Sequence, residues 1–171
     1  ISTSLAFLSL YGASASDLPT IKAPIPDQWV APDSVTSIDL RNYFEVTGIT
    51  GQVVQFLVSY GSTNGVINVE LNSSAATNTV TNFLSYVNAG RYGGTLVHRS
   101  DQGLGVIQGG GYAVPIATVT QNAPIALEYN LPNTRGTIAM ARGNDQNSAT
   151  SEWFFNLIDN TNTFGPSNNG G

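Results

Sequence analysis

A chain of 171 residues with 41% hydrophobic and only 10% charged residues is long enough for one sizeable core and favours strands and turns over long helices. A net charge of −5, with six scattered basic residues, excludes the clustered positive face that a nucleic acid needs. The absence of cysteine excludes thiolate chemistry, disulfides and cysteine-ligated metals, and a single histidine excludes a His-rich metal centre.

In chain order, "ISTSLAFLSLYGASASD" carries an apolar run, Leu5 to Leu10, followed by Ala13-Ser14-Ala15. That order resembles the back half of a secretory signal peptide, with a run too short to span a bilayer. Residues 1–15 are therefore expected to be a partial signal peptide, and the protein to be exported to the periplasm, the cell surface or the medium. Residues 16–50, with four prolines between 16 and 34, are expected to form an extended lead-in before a domain at 51–171.

"GQVVQFLVSYG" (51–61) is rich in Val, Phe and Tyr and bounded by glycines, a strand signal. "GVINVEL" (65–71) follows a Ser62-Thr63-Asn64-Gly65 turn, so 53–71 is expected to be an antiparallel hairpin. In "NTVTNFLSYVNAG", Val80, Phe83, Leu84 and Val87 share one helical face, with Asn78 placed to cap the start and Gly90 to end the helix. Further strands are expected at 94–100, 105–110, 125–130, 136–141 and 152–158. Many short strands separated by Gly and Asn turns point to a mainly β barrel or sandwich. The closing "NTFGPSNNGG" reads as a turn-like tail, so the barrel is expected to be incomplete at its C-terminus.

Chemistry-bearing residues are sparse. Asp101, Glu128, Asp145 and Glu152 have no partner at motif spacing, and there is no G-x-S-x-G elbow or phosphate-loop lysine. His98 and Arg99 are adjacent on a strand, so alternation is expected to send them to opposite faces. Trp153 is expected to face the core. A purely structural β-domain remains one reading of these residues.

Three stretches carry a resemblance: "TVTNFLSYVNAGRYGGTLVHRS" (79–100), "VIQGGG" (106–111) and "NTRGTIAMARGNDQNSATSEWFFNL" (133–157). Together they resemble the cyclophilin-type peptidyl-prolyl cis-trans isomerases, in particular their bacterial exported branch. The resemblance implies an eight-stranded antiparallel barrel with capping helices and a groove on its outside. It also implies isomerisation of Xaa-Pro bonds in protein substrates, with neither cofactor nor metal, by a monomer. It assigns the catalytic arginine to Arg99 and a carbonyl-holding groove glutamine to Gln108. Ala141, Arg142 and Gly143 fall on the groove-lining segment, Phe154 on an aromatic wall of the proline pocket, and Val106 on a position usually held by methionine. His98 is expected to line the site without taking part in the chemistry.

Two departures from the family pattern are visible. One additional residue separates Arg99 from Gln108, so a pocket phenylalanine is replaced by Leu104 or by Gly105. Glu152 stands where relatives carry glutamine, and its carboxylate is placed to pair with Arg99 and so compete with the substrate carbonyl. The alternative implied by these changes is a proline-peptide-binding module with little or no turnover.

Overall fold

The computed structural model describes residues 20–21, 23, 44–45 and 51–165. The signal expected at 1–15, and most of the lead-in expected at 16–50, lie outside them. In the N-terminal part, β1 (Thr20–Ile21) pairs antiparallel with β2 (Phe44–Glu45), Thr20 opposite Glu45.

The second unit opens with β3 (Gln52–Tyr60) and β4 (Thr63–Leu71), nine antiparallel pairs closed by Tyr60↔Thr63. The turn is thus Gly61–Ser62, tighter than the expected four-residue turn at 62–65. Gly61, at φ 59, supplies the left-handed conformation that a two-residue hairpin needs, and Thr63–Gly65 join the ladder instead. Val54, Phe56, Ile67, Val69 and Leu71 line the packed face of the hairpin, whereas Val53, Leu57 and Val66 are exposed on the other.

Helix α1 (Thr77–Asn88) turns Val80 and Phe83 into the core, with Leu84 and Val87 half-buried against it. Its C-terminus closes as the glycine signal predicts. Gly90, at φ 67, donates to Val87 O while Arg91 N donates to Tyr86 O, so two of the last carbonyls are satisfied. The N-terminus differs from expectation. The cap position is Ala76, which has no capping side chain, and Asn78 lies inside the helix. A distant carboxylate does the capping: Glu128 accepts from Asn78 N (3.1 Å) and Thr79 N (2.8 Å).

Segment 125–130, expected as a strand, makes only an isolated bridge, Ile125↔Ala149. Its polar groups are drawn to other partners. Leu127 N donates to Asn147 Oδ1, Asn130 Nδ2 donates to Ala75 O, and Glu128 serves the helix. Burial acts to raise the Glu128 pKa, but the Thr79 and Asn78 amides outweigh it and hold the carboxyl below its ordinary value. Glu128→Ala is expected to destabilise the fold by about 1 kcal/mol at neutral pH in urea denaturation. Because the folded pKa is depressed, the contribution is complete above the unfolded value. It vanishes as pH falls through the folded one, where mutant and wild type converge.

A five-stranded antiparallel sheet completes the unit, in the order β5 (Thr95–Asp101), β6 (Val106–Ala113), β9 (Trp153–Asn156), β8 (Ile138–Met140), with the unforeseen β7 (Ala117–Thr118) also on β6. One face, carrying Val97, Ile107, Ile138, Met140, Trp153 and Phe155, packs against the hairpin and α1. Phe56 meets Trp153 and Phe155 edge-on at 5.0 and 5.4 Å between ring centres. Trp153 faces the core as expected, 4% exposed. Among the described residues of this unit the arrangement is a cyclophilin-like one of seven strands and one helix. Against the expected eight-stranded barrel, incomplete at its C-terminus, the described residues of this unit form seven strands in two sheets, with β3 and β4 paired only to each other.

Candidate active site

The sheet face opposite the core carries the residues of interest. On β6 and β9 the alternation is strict: Ile107 and Phe155, paired, point into the core, while Gln108 and Phe154, also paired, point out. Ala139 lies across from Phe154 on β8, and Arg99 across from Gln108 on β5.

Alternation fails where the sequence reading relied on it. Between Val97↔Gly109 and Arg99↔Gln108, β5 advances two residues while β6 advances one, so His98 is the additional residue of a bulge. His98 and Arg99 therefore reach two linked members of one network, Glu152 and Gln108, and the expectation of opposite faces is corrected. The glycines of β6 make this possible. An added Cβ at Gly109 would lie 2.6 Å from Trp153 Cζ2, and one at Gly111 would lie 2.7 Å from Glu152 Oε1 and 3.1 Å from His98 Cε1. Absent side chains leave that space to the indole, the carboxylate and the imidazole.

The result is a continuous polar network. Arg99 Nη2 donates to Asp101 Oδ2 (2.8 Å) and Arg99 Nη1 to Gln108 Oε1 (3.2 Å). Gln108 Nε2 donates to Glu152 Oε2 (2.5 Å), and His98 Nε2 lies 3.4 Å from the same oxygen. Tyr112 stands edge-on to the His98 ring at 5.0 Å. His98 Nδ1 is buried without a hydrogen-bond partner. The acid beside Arg99 is thus Asp101, and the expected pairing of Glu152 with Arg99 is corrected: Glu152 holds Gln108 instead. The Leu104 amide, and then Arg99, keep the Asp101 carboxyl below its ordinary pKa.

Beside the network lies a separate apolar cluster. Val106, Phe154 and Phe164 are buried at 2, 3 and 5% exposure, and half-buried Leu104, Ala139 and Ala141 pack on them. Phe154 and Phe164 meet edge-on at 5.3 Å. Of the two sequence alternatives, Leu104 joins this cluster. Gly105 sits at φ 59, where an added Cβ would lie 2.5 Å from Ile158 Cγ1. A buried asparagine ladder fixes both rims. Asn160 Nδ2 donates to Leu104 O and Asn156 Oδ1, Asn156 Nδ2 to Asn133 Oδ1, and Asn133 Nδ2 to Phe164 O. Satisfied in this way, the buried amides fix geometry at little desolvation cost.

The segment Ala141–Gly143 borders the cluster, but much of its polarity is already committed. Ala141 N donates to Glu152 O, Gly143 N to Ser148 Oγ, and buried Arg142 donates to Gly143 O and Gly165 O. Arg142 therefore serves the fold through its side chain. Sequence reading missed two members of the site. Asp101 is i+2 from Arg99 and so shares its face, a signal that was present. Phe164 is an isolated aromatic in a polar tail and gave none.

A hollow of about 350 Å³ against α1, lined by Asn78, Thr81, Asn82, Ser85, Asn122, Ile125 and Ala126, shares no residue with this network. Among the described residues no group of three or more His, Asp or Glu side chains could hold a metal ion. A site with one guanidinium, an amide, an apolar bed and no nucleophile can bind, orient and donate hydrogen bonds.

Residues 55–166 match the family described as cyclophilin type peptidyl-prolyl cis-trans isomerase/CLD. The chain is 43% identical over 105 residues to peptidyl-prolyl cis-trans isomerase cyp18 of Streptomyces antibioticus, covering 60% of this chain and 63% of that protein. It is 42% identical over 98 residues to isomerase A of Dickeya dadantii, covering 56% of this chain and 51% of the relative. Against isomerase B of Escherichia coli it is 40% identical over 106 residues, 61% of this chain and 64% of the relative. The chain thus spans between half and two-thirds of the length of these relatives. With the matched region enclosing both the Arg99 network and the Phe154 cluster, the chain belongs to the cyclophilin-type peptidyl-prolyl cis-trans isomerase family.

Proposed function

We propose that the protein is a peptidyl-prolyl cis-trans isomerase acting on Xaa-Pro bonds of polypeptides, and so assists folding. The barrier to rotation, about 18–20 kcal/mol, comes from amide resonance. As the bond twists, the prolyl nitrogen becomes pyramidal and gains a lone pair. An Arg99 N–H aimed there stabilises the twisted state more than either planar one, and that difference is what accelerates rotation. No proton is transferred and no covalent bond forms. Gln108 steadies the preceding carbonyl and the arginine, and the Leu104, Val106, Phe154 and Phe164 cluster receives the proline ring. Ala141, Arg142 and Gly143 border the preceding residue, with His98 and Glu152 at the margin.

The observation that carries this reading is the Arg99–Gln108 contact at 3.2 Å, one strand from Phe154. It joins a fixed donor to an apolar bed. The test is refolding of a protein limited by proline isomerisation, together with a tetrapeptide assay on an Ala-Pro bond. Acceleration of both supports the reading, and acceleration of neither contradicts it.

A second reading, a peptide-binding module with little turnover, is favoured by one contact. Glu152 takes Gln108 Nε2 at 2.5 Å, occupying the group that would hold the substrate carbonyl. Binding of the peptide without faster isomerisation would select it.

Export is part of the proposal, supported by the Leu5–Leu10 run and Ala13-Ser14-Ala15, as are a signal at 1–15, a lead-in at 16–50 and a monomeric state. A closed eight-stranded barrel is proposed for the domain. Its support is the pairing of β3 and β4 only with each other, which leaves their outer edges available to further strands.

A further inference from the structure

We infer that Asp101 is a positioning residue, which holds the Arg99 guanidinium in line with the apolar cluster. The inference rests on the isomerase reading of the site and adds to it a residue to which the family resemblance assigned no role.

Asp101 ends β5, two residues beyond Arg99 and on the same outward face, opposite Val106 of the cluster. Its two oxygens have different partners. Oδ2 accepts from Arg99 Nη2 at 2.8 Å, and Oδ1 accepts from Leu104 N at 3.0 Å. One rigid carboxylate therefore ties the guanidinium to the turn bearing Leu104, a wall of the cluster. Gln108 Oε1 holds the other terminal nitrogen at 3.2 Å. Two anchors at separate corners define the plane of a fork, whereas one leaves it free to pivot.

Two opposing effects must be weighed. The Asp101 charge lowers the positive potential that Arg99 presents to a developing lone pair. However, the Arg99 side chain is 46% exposed, so solvent screens that effect. The same exposure would let an unanchored four-rotor side chain spread over many rotamers, few of which place an N–H correctly. Misplacement of a catalytic donor by about 1 Å can lower a rate by two orders of magnitude. Anchoring therefore outweighs charge loss.

A purely structural role, capping the 102–105 turn, predicts different behaviour, and Asp101→Asn separates the two. Asparagine keeps an oxygen for Leu104 N but presents an N–H₂ group to Arg99 Nη2, donor against donor. Asp101→Ala removes both contacts.

For the wild-type chain and both variants, kcat and KM on the Ala-Pro peptide are to be measured beside the melting temperature and the Arg99 Nε–Hε signal in nitrogen-15 NMR. In Asp101→Asn we expect kcat about fivefold lower, KM within about twofold, an unchanged melting temperature and a faster-averaging guanidinium signal. In Asp101→Ala we expect the same loss of kcat together with a lower melting temperature. A kcat in Asp101→Asn equal to or above wild type, or reduced only alongside the melting temperature, overturns the assignment. Absence of turnover by the wild type overturns the isomerase reading itself, a result distinct from an active wild type matched by its Asn variant.

Discussion

Arg99→Ala is expected to lower kcat/KM on an Ala-Pro peptide by about a hundredfold while leaving the melting temperature within a degree or two. The magnitude is that of removing one preorganised donor from a site where charge develops in the transition state, about 2.7–4 kcal/mol. Arg99 is at the edge of the structure energetically. Its side chain is half exposed, and its partners, Asp101 and Gln108, keep other bonds when it is gone, to Leu104 N and Glu152 respectively. Stability therefore depends little on it, and the two readouts should separate. A fall in melting temperature matching the loss of rate would assign Arg99 to the fold instead.

The second large effect is on stability. Gly110→Ala is expected to destabilise the protein by about 3 kcal/mol in urea denaturation, and to broaden or abolish the cooperative transition. Gly110 sits at φ 80, a conformation that costs an alanine about 1–2 kcal/mol. Its added Cβ would also lie 2.6 Å from Ser151 O and 2.8 Å from Trp153 Nε1, so backbone or a core indole must move. Trp153 is in contact with Phe56 and Phe155, and its displacement would open the centre of the core. A loss below about 0.5 kcal/mol would mean that β6 relaxes without strain and that the glycine run has another cause.

These two positions also show what a sequence can and cannot convey. Helix α1 was legible because Val80, Phe83, Leu84 and Val87 repeat at the helical period and Gly90 supplies a left-handed stop. Both are local properties. Its N-terminal cap was not legible, since the carboxylate that serves it comes from Glu128, 49 residues away from Thr79. That same diversion explains why 125–130 alternates like a strand without becoming one. Arg99 and Gln108 stood out through family resemblance, and the structure brings their side chains together. The bulge that puts His98 beside them has no local signature: it follows from how β6 accommodates Trp153 through its glycines. Glu152 illustrates a further limit. Its departure from the family residue was visible, but its choice of Gln108 over Arg99 depends on Asp101 having already engaged the guanidinium.

Whether Arg99 acts on the twisted bond is tested most directly by NMR exchange spectroscopy of an Ala-Pro peptide at saturating protein. The cis-trans exchange rate of the bound peptide and its Kd are to be compared between wild type and Arg99→Ala. The account predicts a Kd changed by no more than about threefold and a bound exchange rate reduced about a hundredfold, because the guanidinium is used chiefly in the transition state. Weakened binding with an unchanged bound exchange rate would contradict it, since Arg99 would then hold planar and twisted peptide equally.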